Sequence, residues 1–169
     1  MAASRTYTVV QFTDSHLSAD PAACMRGVNT TDSLKAVTAL ASAFAAPDAI
    51  VATGDLSQDG SEASYLRFRE LVSQPNIPLR WLPGNHDDAA TMQRCRGAEA
   101  QPLRLGKWHI ITLDSQVLGA EQGAIDAESL RRLEGELAAA DAVSEYVLLC
   151  VHHNPLRTGA TWMDTIDLT

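Results

Sequence analysis

Apolar and polar positions along the 169 residues follow two rhythms. Short β-branched or aromatic runs bounded by polar residues read as strands. Stretches with apolar residues three and four apart read as amphipathic helices. "TYTVVQFT" (6–13) is the first strand. "TTDSLKAVTALASAF" (30–44) follows as a helix, with Leu34, Val37, Leu40, Ala41 and Phe44 on one face and Thr30 or Thr31 as N-cap. "DAIVATGD" (48–55) is a second, buried strand. "DGSEASYLRFRELV" (59–72) is a helix on Tyr65, Leu66, Phe68, Leu71 and Val72. "PLRWLPGN" (78–85) is a third strand, and "DDAATMQRC" (87–95) a short helix. "LRLGKWHIITLD" (103–114) is a hairpin turning at Gly106-Lys107. "DAESLRRLEGELAAA" (126–140) is a helix on Leu130, Leu133 and Leu137, and "YVLLCV" (146–151) is a last buried strand.

Strands alternating with helices predict an α/β layered fold around a mixed, mostly parallel sheet. No repeat or linker divides the chain, so residues 1–169 are expected to form a single domain. A composition of 46% hydrophobic and 20% charged residues is that of a globular protein. The net charge of −8 argues against a nucleic-acid partner. A small anionic substrate stays compatible if metal ions supply local positive charge. Cys24, Cys95 and Cys150 show no CxxC spacing, which predicts reduced thiols and a cytoplasmic protein; Cys150 reads as a small core residue. The start "MAASRTYTVV" has no signal-peptide pattern, and no apolar run reaches membrane-spanning length, so no membrane partner is expected.

Four strand ends share one feature. Asp14-Ser15-His16 follows the first strand, Asp55 the second, Asn85-His86-Asp87 the third and His152-His153-Asn154 the last. Four of the five histidines lie there, and His109 alone sits inside a strand pattern. Taken singly, an Asp at such a position is an ordinary helix cap and a His an ordinary loop residue. Together they differ, because parallel strands lie roughly 5 Å apart and their ends converge. In open α/β sheets, ligands bind beyond the carboxyl ends of the strands. Two carboxylates, an amide and several imidazoles gathered there call for a counter-charge, and a metal ion supplies it. Oxygen and imidazole donors without thiolate suit manganese, iron or zinc. One Asp can bridge two ions, and a two-ion centre is an arrangement for in-line displacement at phosphorus.

In this order, "DSH", "GD", "GNHD" and "HHNP" resemble the calcineurin-like metallophosphoesterases. "VQFTDSHL", "GVNTTDSLKAV", "IVATGDLSQDGSEASYLRF", "WLPGNHDD", "LDSQVLG" and "VHHNPL" are similar to the bacterial class III 3′,5′-cyclic AMP phosphodiesterases. The resemblance implies the N-terminal portion of a four-layer α/β/β/α sandwich. It also implies two divalent ions, iron or manganese first, with zinc, cobalt or magnesium as other fitting ions. Asp14 and His16 are then ligands of one ion, Asp55 of both, and Asn85 and His152 of the second. Asn85 and His86 face the substrate, and His86 is catalytic, protonating the leaving oxygen. The implied reaction is direct hydrolysis of 3′,5′-cyclic AMP to 5′-AMP by a bridging hydroxide. Asp87 reads as a turn or cap residue, and His153 as a loop residue or a support for its neighbour. Gly54 and Gly84 read as allowing tight turns. Many relatives carry an acid three residues after the bridging Asp, supporting the catalytic His. Here Gln58 holds that place and the acid is Asp59, which can instead cap the next helix.

The family's Gly-His-x-His motif is absent, which predicts a chain truncated at its C-terminal side, weakened metal sites and an apolar sheet face through which copies associate. The alternatives are a phosphodiesterase or phosphomonoesterase for another small substrate, and a weakly active or inactive metal-binding fragment.

Overall fold

The computed structural model describes residues 5–44, 46–96, 102–142 and 146–169. The first four positions of the segment read above for a signal peptide lie outside them. Three strands, β1 (Val9–Phe12), β4 (Ala49–Thr53) and β5 (Leu79–Leu82), pair in parallel in the order β1-β4-β5. Their register sets Phe12 beside Ala52, and Thr53 beside Leu82. All three strands therefore end level, and the loops that follow start from one edge. A second sheet, β6 (Leu103–Leu105), β7 (Trp108–Thr112) and β8 (Tyr146–Cys150), is antiparallel between β6 and β7 and parallel between β7 and β8. The mixed, mostly parallel α/β character is as expected, with the strands divided between two sheets that touch at β5 and β7.

One face of the first sheet makes the core. Alternate residues Phe12, Ile50, Ala52, Leu79 and Trp81 pack against Leu34 of α1 (Thr30–Phe44), against Tyr65, Phe68 and Val72 of α2 (Glu62–Val72), and against Met92 and Cys95 of α3 (Ala89–Arg96). The period of two on the strands meets the period of 3.6 on the helices. Phe68 stacks on Trp81 with ring centroids 5.6 Å apart. Helix α4 (Ala127–Asp141) packs on β8.

Several expectations are corrected. Asn29, not Thr30 or Thr31, caps α1, its Oδ1 accepting from the Asp32 N–H at 2.8 Å. Only Leu34 of the expected α1 stripe is buried and Ala41 partly so, while Phe44 is 82% exposed. The helix leans on α2 and β3 (Val28–Asn29) through one side of that stripe. Strand β8 is not buried, and among the described residues β7 is its one neighbour in the sheet; Tyr146 is 60% exposed and Cys150 half-buried rather than core. A hairpin of β2 (Cys24–Met25) with β3 has no counterpart in the sequence reading. Its two-residue turn, Arg26-Gly27, has both φ values positive, the geometry that suits the strand twist. The Gly106 turn of β6–β7 has φ +58° at its first position, as expected. Among the described residues all three cysteines are free. Among those residues, too, no helix is long and apolar enough to cross a membrane.

Candidate metal centre

The loop after β1 and the loop after β4 run side by side. Asp14 N–H donates to Gly54 O at 3.0 Å, His16 N–H to Asp55 O at 2.9 Å and Leu17 N–H to Leu56 O at 3.0 Å. This continues the strand pairing beyond the sheet and holds three residues left-handed: Asp14 (φ 54°), His16 (φ 44°) and Asp55 (φ 51°). Such a backbone is costly for residues other than glycine, so it persists where the surroundings enforce it. Its effect is to turn Asp14, His16 and Asp55 towards one another.

The Asp55 carboxylate is buried, and its two oxygens look in different directions. Oδ2 lies 3.7 Å from His16 Nε2, and Oδ1 lies 3.6 Å from His152 Nε2. Oδ1 also accepts from the His86 N–H at 3.0 Å. His152 comes from the second sheet and reaches across to the first, donating from Nδ1 to Thr53 O at 2.8 Å. That bond places the proton on Nδ1, so the Nε2 lone pair points at Asp55 and at Asn85 Oδ1, 3.3 Å away. Donor atoms of Asp14, Asp55 and His152 lie within 4.8 Å of one another, as do those of His16, Asp55 and His86. Two imidazole nitrogens facing one carboxylate, each too far for a hydrogen bond, fit cations lying between them. The structure thus brings Asp14, His16, Asp55, Asn85, His86 and His152 together at one edge.

The two glycines are required for partly different reasons. Gly54 has φ +98°, which serves the turn, and a Cβ there would also strike the His152 ring and the Gly84 N–H. Gly84 has no positive φ; its role is close approach, since a Cβ there would meet the Asp55 carboxylate and N–H and the His152 ring.

Gln58 lies with Nε2 3.4 Å from His86 Nδ1, so an amide stands beside His86. Asp59 neither supports His86 nor caps α2. Ser61 is the cap, and Asp59 binds the N–H groups of Ala19 and Ser61.

Asp87 is more than a turn residue. It is buried and accepts from the N–H groups of Leu56, Ser57 and Gly84 and from the Tyr65 hydroxyl, tying the loop after β4 to the loop after β5. Burial pushes its carboxyl above the ordinary range, against those N–H bonds. His153 is also buried, its Nδ1 2.7 Å from Ser115 Oγ and its Nε2 3.2 Å from Glu121 O. Burial, aided by the adjacent His152, pushes its pKa down and so favours the neutral ring. The sequence reading assigned nothing to Tyr65 beyond the helix core, and nothing to Ser115 or Gln116. For the last two the signal was "LDSQVLG", which follows a strand as the candidate ligands do.

A sequence model of the calcineurin-like phosphoesterases matches residues 7–167. The chain is 41% identical over 165 residues to the 3′,5′-cyclic adenosine monophosphate phosphodiesterase CpdA of Pseudomonas aeruginosa, with 95% of this chain and 60% of that protein covered. It is 40% identical over 166 residues to CpdA of Escherichia coli (strain K12), at the same coverage. It is also 32% identical to a 3′,5′-cyclic-nucleotide phosphodiesterase of Nostoc sp., covering 93% of this chain and 60% of that one. The chain thus spans about 60% of the length of these curated relatives. The crystal structure of TT1561 of Thermus thermophilus matches with a TM-score of 0.61 at 15% identity, covering 92% of this chain and 72% of that one, a likeness of fold.

Proposed function

Because the chain belongs to the calcineurin-like phosphoesterase family, we propose that it carries the metal-binding core of a phosphodiesterase hydrolysing 3′,5′-cyclic AMP to 5′-AMP. The substrate follows the activity named for CpdA of P. aeruginosa and E. coli. The observation that supports the reading most directly is the Asp55 carboxylate, one oxygen turned to His16 and the other to His152. In this reading Asp14 and His16 would hold one ion, Asp55 both, and Asn85 and His152 the second. The oxygen and imidazole donors suit iron or manganese, and zinc, cobalt or magnesium as well.

Two divalent ions supply Lewis acidity towards the phosphate oxygens and lower the pKa of water. The chain's own residues supply the rest. Half-buried Asn85 and exposed His86 lie on one turn, where the phosphate would dock. With Gln58 against Nδ1, the His86 ring keeps Nε2 for proton transfer. Water attacks phosphorus in line with the ribose 3′ oxygen and loses a proton to solvent, the bond from phosphorus to that oxygen breaks, and His86 gives the oxygen a proton that it regains from solvent.

The test is hydrolysis of cyclic AMP and of a chromogenic diester by the purified chain with Mn²⁺. Asp55→Ala should abolish both. Cleavage of the diester without cyclic AMP would sink the substrate assignment, and absence of both turnover and a metal site would sink the enzymatic one. His86→Ala should lower turnover about 10²–10⁴-fold at unchanged metal content. Its place beside His16 and Asp55 favours a second reading as a ligand, and metal loss in that variant would establish it.

A further inference from the structure

Ser115 and Gln116 are consecutive residues in the loop after β7, and their side chains reach different partners. Gln116 Nε2 donates to Gly84 O at 2.7 Å and to Asp87 O. An amide nitrogen has two protons, and both are spent here, one at each end of the turn that presents Asn85 and His86. Ser115 is fully buried, and its hydroxyl lies 2.7 Å from His153 Nδ1. The His153 Nε2–H donates to Glu121 O, so Nδ1 accepts and Ser115 donates. The His153 ring meets the His152 ring edge-on, with centroids 4.9 Å apart. Behind it stands Gly123, where any Cβ would strike that ring. Gly123 is itself held by N–H bonds to and from Asp167 and Thr169.

Asn85 follows β5 of the first sheet, and His152 follows β8 of the second. We propose that Ser115 and Gln116 are positioning residues for the second ion's half-site: Gln116 fixes the turn carrying Asn85, and Ser115, through His153, fixes His152. One dipeptide then sets the spacing of two ligands that lie on different sheets. The inference rests on the two-ion reading above, and its test separates the two.

In metal-free protein, hydrogen–deuterium exchange reports the amides of residues 84–88 directly. Gln116→Ala should speed their exchange about tenfold and leave β4 unchanged. Gln116→Glu keeps the size but removes the amide donors, so it should behave like Ala; a residue that merely fills space would tolerate it. Ser115→Ala should speed exchange at residues 151–153 instead. In a Mn²⁺ titration, all three variants should weaken the second ion about tenfold while the first binds as in wild type. Unchanged exchange in Gln116→Ala, a wild-type-like Gln116→Glu, or equal weakening of both ions would overturn the proposal. A wild-type chain that binds fewer than two ions would overturn the two-ion reading instead, and metal-free exchange would still decide the clamp.

Discussion

Three side chains of the centre stand on backbone that their residue types disfavour, at a cost of roughly 1–3 kcal/mol each. The inter-loop hydrogen bonds of Asp14, His16 and Leu17 help hold them there. That arrangement leaves no room at Gly84, whose Cα faces Asp55 and His152. Gly84→Ala should therefore cost about 1–3 kcal/mol in urea unfolding through overpacking and remove tight Mn²⁺ binding. A variant that unfolds like wild type and still binds the ion would show that the two loops move apart freely. Gly54 combines two uses of glycine, since its φ of +98° serves the turn and a Cβ there would strike the His152 ring.

At the level of elements, the strands of the first sheet were legible because each is a short apolar run ending in a polar residue. Their level register carries the strand-end residues to one edge without any long-range signal. What pattern could not supply was the pairing. Tyr146–Cys150 is as apolar as Ala49–Thr53, yet one is an edge strand and the other central. The β2–β3 hairpin escaped because two-residue strands have no period to read. Asp87 escaped because an Asp before a helix looks the same whether it caps locally or ties two loops at a distance, as here. Asp59 was assigned to the wrong element. Burial acts to raise its pKa, but the Ala19 N–H, the Ser61 N–H and hydroxyl and the Ser57 hydroxyl outweigh it and hold the carboxyl below the ordinary range. A depressed folded-state pKa gives stability that is present above the unfolded value, about 3.9, and is lost as pH falls through the folded one. Asp59→Asn should therefore flatten the acid limb of stability below about pH 4. Thermal unfolding between pH 2 and 6 checks this, and an unchanged acid limb would contradict it.

For the whole molecule, the segment leading into β1 meets the second sheet across an open cleft of about 450 Å³. Arg5 and Thr6 stand at it, and Tyr7, Val9, Leu105, Trp108, Ile110 and Leu148 give it apolar walls. Trp108 is 42% exposed and leans on Tyr146, with ring centroids 5.2 Å apart. Apolar surface of this kind takes up hydrophobic dyes and favours association. Trp108→Glu should lower fluorescence of bound anilinonaphthalene sulfonate severalfold and reduce any concentration-dependent increase in size by light scattering. Equal dye binding in the variant would place the sticky surface elsewhere, for instance at Phe44 on α1.

The bond between His152 and Thr53 joins residues 99 apart in the chain, and His152 meets Asn85 across a separation of 67. A ribosome adds about 5–20 residues per second, so His152 is made roughly 3–13 seconds after Asn85. A nascent chain therefore owns Asp14, His16, Asp55 and Asn85 for some seconds before His152 exists. Any ion captured in that interval would be captured by the loops of the first sheet alone, and the order of translation would become an order of loading.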